Sequence, residues 1–348
     1  TASYDSDGNM LTLRYPSGRV LSYAWTALHN LESIRERSFS SGDLARFEYK
    51  GPGRYKSIAY GRTTQTFDYD DLNQVKGITH QLNGRTLTLR YTRDPAGNVL
   101  SEDVNFAPIT NLVTTYAYDS ADQMLKRAAT PRSGSTPIGH PAQEVYSFDG
   151  RGNRKTSMSG PLGITWTVND LNQYTGPGQF GWDGNGNLTR FGLRNSVFDA
   201  FGRLQSANGP GSLNREILTY DVDGMRVMAR LLAPSFPTRF VYWNGRLLER
   251  RTNPILGSPL NQTFVTGNTP LQILQVKSQL TYYPHRNAIG STLAVTDDTG
   301  AVLDAYEYNS GGMAASKDAN GALTTTSRSG NRHLFAGPQR DSVAGQDL

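Results

Sequence analysis

The stretch Trp182-Asp183-Gly184-Asn185-Gly186-Asn187-Leu188-Thr189-Arg190 decides the reading of this chain. It runs aromatic, Asp, two spacers, Gly, Asn, apolar, then polar residues. Variants recur upstream, as Tyr4-Asp5-Ser6-Asp7-Gly8-Asn9-Met10. They recur downstream too, as Phe198-Asp199-Ala200-Phe201-Gly202-Arg203-Leu204 and Tyr220-Asp221-Val222-Asp223-Gly224-Met225-Arg226-Val227. A repeated unit constrains a fold before any single motif does.

The repeat can be tested by stepping four residues from the leading position of each unit. Tyr4 leads to Gly8, Trp25 to His29, Tyr49 to Gly53, Tyr69 to Asn73, Arg93 to Gly97 and Tyr118 to Asp122. Phe148 leads to Gly152, Val168 to Asn172, Trp182 to Gly186, Phe198 to Gly202, Tyr220 to Gly224 and Tyr308 to Gly312. Every landing residue is Gly, Asn, Asp or His, the types that tolerate positive φ. The position is therefore expected to be a left-handed turn residue. Asp often follows the leading residue (Asp5, Asp70, Asp119, Asp149, Asp183, Asp199, Asp221), where a short carboxylate accepts backbone N–H bonds two residues on. Alternating stretches such as Leu87-Thr88-Leu89-Arg90-Tyr91 follow the turns and argue strands with one buried face. A unit length of about 20 residues accommodates two strands and two turns.

The expected organisation is a β-hairpin array over 1–278, with loop insertions near 130–142, 232–237 and 252–275, followed by a distinct block over 279–348. Ala27–Phe39 keeps a short-helix alternative, because Leu28, Leu31 and Ile34 are helically spaced, although Trp25–Leu31 also fits the repeat.

Composition agrees with a β protein. The 348 residues include 18 Tyr and 36 Gly, which favour strands and tight turns. A net charge of +5 is thin, and no block of five or six like charges occurs, so a solvated surface is preferred over a nucleic-acid patch. With no Cys there are no disulfides and no thiolate metal sites. No apolar run approaches the roughly 20 residues of a membrane-spanning helix. The chain begins on a repeat unit without Met and reads as a fragment or processed product.

From Gln279 the pattern changes. Tyr282-Tyr283-Pro284-His285-Arg286-Asn287-Ala288-Ile289-Gly290-Ser291-Thr292 leads through Val295-Thr296-Asp297-Asp298-Thr299-Gly300 to Tyr308 and then to Leu334-Phe335-Ala336-Gly337. The units resemble YD repeats of the RHS (rearrangement hotspot) family, and Tyr282–Gly312 resembles the C-terminal part of an RHS core. That resemblance implies an all-β fold: a YD-repeat array of β-hairpins winding into a spiral, hollow shell-like sheet. In bacterial relatives such a shell encloses a C-terminal toxin; animal teneurins use a similar one in adhesion. Two departures matter. The family's second His, after an Asp, is replaced by Asn287 and Ala288. The only Asp-Pro is Asp94-Pro95, in a repeat turn, so no self-cleavage is assigned to these residues.

No catalytic, cofactor or metal residues are expected. The repeated Asp residues could form the paired carboxylates of a glycosidase, but their recurrence at one turn position favours capping. Asp5, Asp7 and Asn9, like Asp183, Asn185 and Asn187, alternate as in a Ca²⁺ loop but lack the bidentate Glu at the twelfth position. His29, His80, His140, His285 and His333 show no ligand-like grouping; His285 and His333 are the pair that might meet, with packing favoured over catalysis. The Gly-rich turns are followed by no helix to aim at a phosphate.

The resulting expectation is a non-enzymatic, secreted or cell-surface shell segment, cytoplasmic before export, that encapsulates or presents a C-terminal toxin or effector in interbacterial competition. Its partners would be that cargo or adjoining shell segments, with secretion machinery and a cell-surface glycan as further candidates, and neither nucleic acid nor a membrane span. The alternative is an extracellular adhesion or carbohydrate-binding array, with Phe236, Phe240 and Phe264 as contact rings.

Overall fold

Residues that tolerate positive φ set the path of this chain. A computed structural model describes residues 1–36, 42–132, 141–209, 215–232, 237–252, 260–266, 272–276, 280–325, 327–329, 331 and 334. All twelve positions reached by the four-residue step are left-handed. His29 has φ 56°, Gly97 has φ 98°, and the other ten lie between 59° and 84°.

The turn at Asp183 shows why. The Gly186 N–H donates to the Asp183 carbonyl at 3.1 Å, and the Asp183 N–H donates to Asn187 O at 3.0 Å. Asp183 Oδ1 accepts from the N–H groups of Asn185 and Asn187 at 3.0 and 2.9 Å. Trp182 pairs directly with Leu188 after a register shift. This is a tight turn closed by a left-handed bulge residue, a common three-residue hairpin connection. The frame passes over four further turns, ending at Gly18, Gly290, Gly300 and Gly321, which close with the same bond. Arg, Thr or Lys occupies the leading position in those four, a polar lead shared among the framed turns only by Arg93.

Ahead of the turn, the aromatic residue links neighbouring hairpins. Tyr49 OH donates to Leu31 O at 2.7 Å, Tyr69 OH to Tyr55 O at 2.7 Å, and Tyr220 OH to Leu204 O at 2.8 Å. Trp25 and Trp182 do the same through Nε1, to Met10 O and Tyr174 O. Each acceptor is the carbonyl of the residue just beyond the preceding turn. A ring thus packs on its sheet while its polar tip satisfies a carbonyl of the unit before.

The protein is an all-β YD-repeat array; among the described residues there is no helix. Strands hydrogen-bond in sequence order: a fifteen-stranded sheet from Ala2–Tyr4 to Leu162–Thr165, a two-stranded pair Thr167–Val168 and Tyr174–Gly176, and a fourteen-stranded sheet from Phe180–Trp182 to Ala314–Lys317. Neighbouring strands pair antiparallel in the ladders of the described residues, as hairpins require. Leu31–Glu36 is a strand paired with Val20–Trp25, so the helix alternative is not adopted there. Leu260–Thr266 and Gln272–Val276, inside the third expected loop, are also strands. Residues 133–140 and 233–236, within the other two, lie outside the described residues.

Two compact units emerge. One comprises Thr1–Thr114, Thr130–His140 and Phe264–Gly337; the other comprises Thr115–Ala129, Pro141–Thr263 and Pro338–Leu348. In the first, Ile78, Leu82, Leu87, Leu89 and Phe106 of the array pack on Leu293, Ala294, Val302 and Ala305 of the C-terminal strands. Burying each large side chain contributes about 1.5–3 kcal/mol. The second unit has a smaller core of Leu218, Ala229 and Phe240.

Candidate functional site: the buried seam of the first unit

Docking of the C-terminal strands on the array creates a seam in which polar groups are buried. The alternation Ile78-Thr79-His80-Gln81-Leu82 places His80 on the core face, and the imidazole is fully buried. In strand Leu280–Arg286, His285 is 1% exposed. The two imidazoles meet edge to face, with Nδ1 atoms 3.3 Å apart. Tyr60 stacks on His285 and brings its hydroxyl to 3.2 Å from His285 Nδ1.

Partners assign the hydrogens. His80 Nε2 lies 3.1 Å from the Arg286 carbonyl, which only accepts, so Nε2 carries the hydrogen and Nδ1 is bare. His285 Nδ1 then donates toward it, and His285 Nε2 accepts from Thr296 Oγ1 at 2.9 Å. Tyr60 OH donates to Gln65 Oε1 at 3.4 Å. Both histidines are held neutral. Burial pushes His80 down to about 4, against the opposing effect of the bond to Arg286. Burial, and then the neighbouring His80, push His285 well below the ordinary value. Burial also lowers the Arg286 guanidinium to about 10 and raises the Tyr60 hydroxyl.

Other contacts extend the seam. Tyr15 OH donates to Phe264 O at 2.8 Å, and Asn83 N–H to Gly300 O at 3.1 Å. Lys317 Nζ reaches the Ile109 carbonyl at 3.1 Å and pairs with the Glu307 carboxylate, both side chains being buried. Asp304, 1% exposed, accepts from the N–H groups of Arg328 and Ser329 and from the hydroxyls of Ser327 and Ser329. Close approach is built in at Gly61 and Gly321. A Cβ on Gly61 would stand 2.7 Å from Tyr283 Cε2, and one on Gly321 would stand 3.0 Å from the Pro108 carbonyl.

The repeated Asp residues are not poised as acids. Asp183 accepts from Asn187 Nδ2 at 2.9 Å, and that bond, followed by backbone N–H bonds, holds its carboxyl below the usual range. Asp149 is held low by Asn153 in the same way, and Asp5 by Asn9. A general acid for glycoside cleavage needs the opposite shift. The Ca²⁺-like alternations spend the Asp5 and Asp183 oxygens on their own loops. Among the described residues, no three His, Cys, Asp or Glu side chains are placed to hold a metal ion.

His285 does meet a second histidine, but the partner is His80; His333 and His140 lie outside the described residues. Sequence reasoning missed the pairing, although the inward parity of His80 between Ile78 and Leu82 was a usable signal. His29 is a turn residue with Nδ1 3.1 Å from Asn9 Nδ2. The ring contacts proposed for sugar binding need correction: Phe240 is 5% exposed and Phe264 1%, both taken up by the cores, and Phe236 lies outside the described residues.

The resemblance seen in the repeats extends to known proteins. The family model described as Teneurin YD-shell matches residues 42–324. The tRNA3(Ser)-specific nuclease WapA of Bacillus spizizenii is 23% identical over 92% of this chain, which spans 14% of that protein. The tRNA nuclease WapA of Bacillus subtilis is 26% identical over 58% of the chain, spanning 8% of its length. Among solved structures, the TcdB2-TccC3-Cdc42 crystal structure superposes with a TM-score of 0.79 at 20% identity, over 98% of this chain and 19% of that one. The Photorhabdus luminescens Tc holotoxin pore gives 0.80 at 20% identity, with the same coverage. The chain therefore spans a small part of each of these relatives.

Proposed function

This chain belongs to the teneurin YD-shell family, and from that premise we propose that it is a wall segment of an RHS-type exported toxin, non-enzymatic itself, which encapsulates or presents a C-terminal toxin or effector for secretion. The observation that carries this reading is the sealed seam. Chemistry-bearing groups such as His80, His285, Asp304 and Lys317 are all buried and spent on joining one part of the chain to another. Such an arrangement builds a wall. Docking of the C-terminal strands on the face of the array buries apolar surface that a lone hairpin array would leave in water.

In this reading the cargo, adjoining shell segments and secretion machinery are the partners, and the destination is outside the cell or at its surface. Any enzyme would belong to the cargo, as the nuclease names of the Bacillus relatives suggest by analogy.

The test uses the longer protein that carries this chain together with its C-terminal segment. Electron microscopy should show a lumen, and the C-terminal segment should survive protease at a concentration that digests the same segment made alone. A solid globule, or digestion at the rate of the free segment, sinks the proposal.

A further inference from the structure

Two neutral imidazoles facing each other in a buried seam form an unusual fastening. The contact joins strand Tyr55–Tyr60 and strand Val75–Leu82 to strand Leu280–Arg286, more than 200 residues on. We propose that His80 and His285 act as an acid-sensitive latch, holding the C-terminal strands on the array while neutral and releasing them when protonated. The inference concerns the seam of this chain alone and stands whether or not the shell encloses a cargo.

Geometry carries the argument. One added proton goes either to His285 Nε2 or to His80 Nδ1 with the His285 hydrogen shifting to Nε2, and both routes place an N–H against Thr296 Oγ1 and make that hydroxyl an acceptor. A second proton leaves N–H facing N–H and two cations with nitrogens 3.3 Å apart. Among the described residues, the charged surroundings give no relief. Strand Leu280–Arg286 contributes the buried Arg286 guanidinium, a third cation. Strand Tyr55–Tyr60 contributes Tyr60, whose hydroxyl burial keeps neutral. The next strand contributes the uncharged Gln65, and the strand after the latch contributes Thr296. Glu36 and Asp298 act on Tyr283, where Arg19 pairs with Glu36, and neither carboxylate shifts a latch histidine. A buried charge without a partner is strongly disfavoured.

The sign follows from linkage. His80 has a folded value of about 4 against an ordinary 6.5, so the opened chain takes up protons that the closed one refuses. The latch is fully effective above 6.5 and weakens as pH falls toward 4. The turn carboxylates behave differently. Asp5, Asp149 and Asp183 are lowered from 3.8, so their contribution is lost only below that value. The two windows are separable.

Hydrogen–deuterium exchange on the whole chain between pH 7.5 and 4.5 tests this. After correction for intrinsic exchange, opening of strand Leu280–Arg286 should rise about tenfold per pH unit for each proton taken up, toward a hundredfold with both histidines engaged. His80→Gln keeps an N–H donor for the Arg286 carbonyl and should remove about one tenfold step per unit. His29→Gln, in an exposed turn, should remove none. Exchange at the histidine Cε1 positions of the unmodified chain gives an independent reading, should His80→Gln fail to fold. His80 and His285 should exchange slowly and titrate well below 6. Titration near 6.5, or opening that stays flat between pH 7 and 5, overturns the latch.

Discussion

At the scale of the residue, one glycine position separates two physical demands. Gly8 has φ 83° and open space where a Cβ would stand, so an Ala there meets only backbone strain. Gly61 has φ 56° and the Tyr283 ring 2.7 Å from the Cβ position. Gly61→Ala should therefore cost about 1–2 kcal/mol of strain, plus about 1–3 kcal/mol for displacing a packed ring. Gly8→Ala should cost the strain alone, and urea unfolding of both variants checks the difference. The left-handed requirement was legible in the sequence, because it depends only on which side chains tolerate positive φ. The crowding at Gly61 was not, because Tyr283 arrives from more than 200 residues away. His80 lies between these cases: its inward parity could be read from Ile78 and Leu82, its partner could not.

At the scale of the element, the repeat is held by its rings as well as its turns. Tyr69 OH bonds the Tyr55 carbonyl, so Tyr69→Phe keeps the ring and removes that bond in a half-buried setting. The expected loss is about 1 kcal/mol. It should appear as reduced amide protection in the two hairpins that Tyr69 joins, with distant hairpins unchanged. Phe148 and Phe198 hold the same place without a hydroxyl, so this link is absent from their side chains by chemistry. Hairpins were legible from alternation and turn residues, yet the role of the ring beyond its own hairpin was not. Its bond to the preceding unit depends on how hairpins lie side by side, which a single unit does not encode. The same limit explains Phe240 and Phe264. Each was expected as an exposed contact ring, whereas strands Pro237–Trp243 and Leu260–Thr266 carry them into cores.

At the scale of the whole molecule, the repeat made the hairpin array and its sequence order legible but left its closure undetermined. Nearly equivalent hairpins offer the C-terminal strands many docking positions, and only tertiary contacts select one. Specific polar contacts supply that selection in the first unit, and the clearest case is the bond from buried Lys317, paired with Glu307 on the neighbouring C-terminal strand, to the Ile109 carbonyl of the array. Apolar burial by Ile78, Leu89 and Val302 favours docking but tolerates small shifts of register. The Lys317 ammonium held by the Ile109 carbonyl does not, because a shift of one residue would take this buried donor off its acceptor. Lys317→Met should therefore destabilise by about 3–5 kcal/mol, since the buried Glu307 carboxylate loses its ammonium partner. Adding Glu307→Leu should recover most of that loss, as replacing a whole buried pair by apolar groups is often neutral. If the pair selects the register, the double variant should regain stability while amide exchange in strand Ala314–Lys317 stays faster than in the parent. Stability restored together with full protection would assign the register to the apolar contacts alone, and equal, additive losses from the two single changes would show that the pair is not coupled at all.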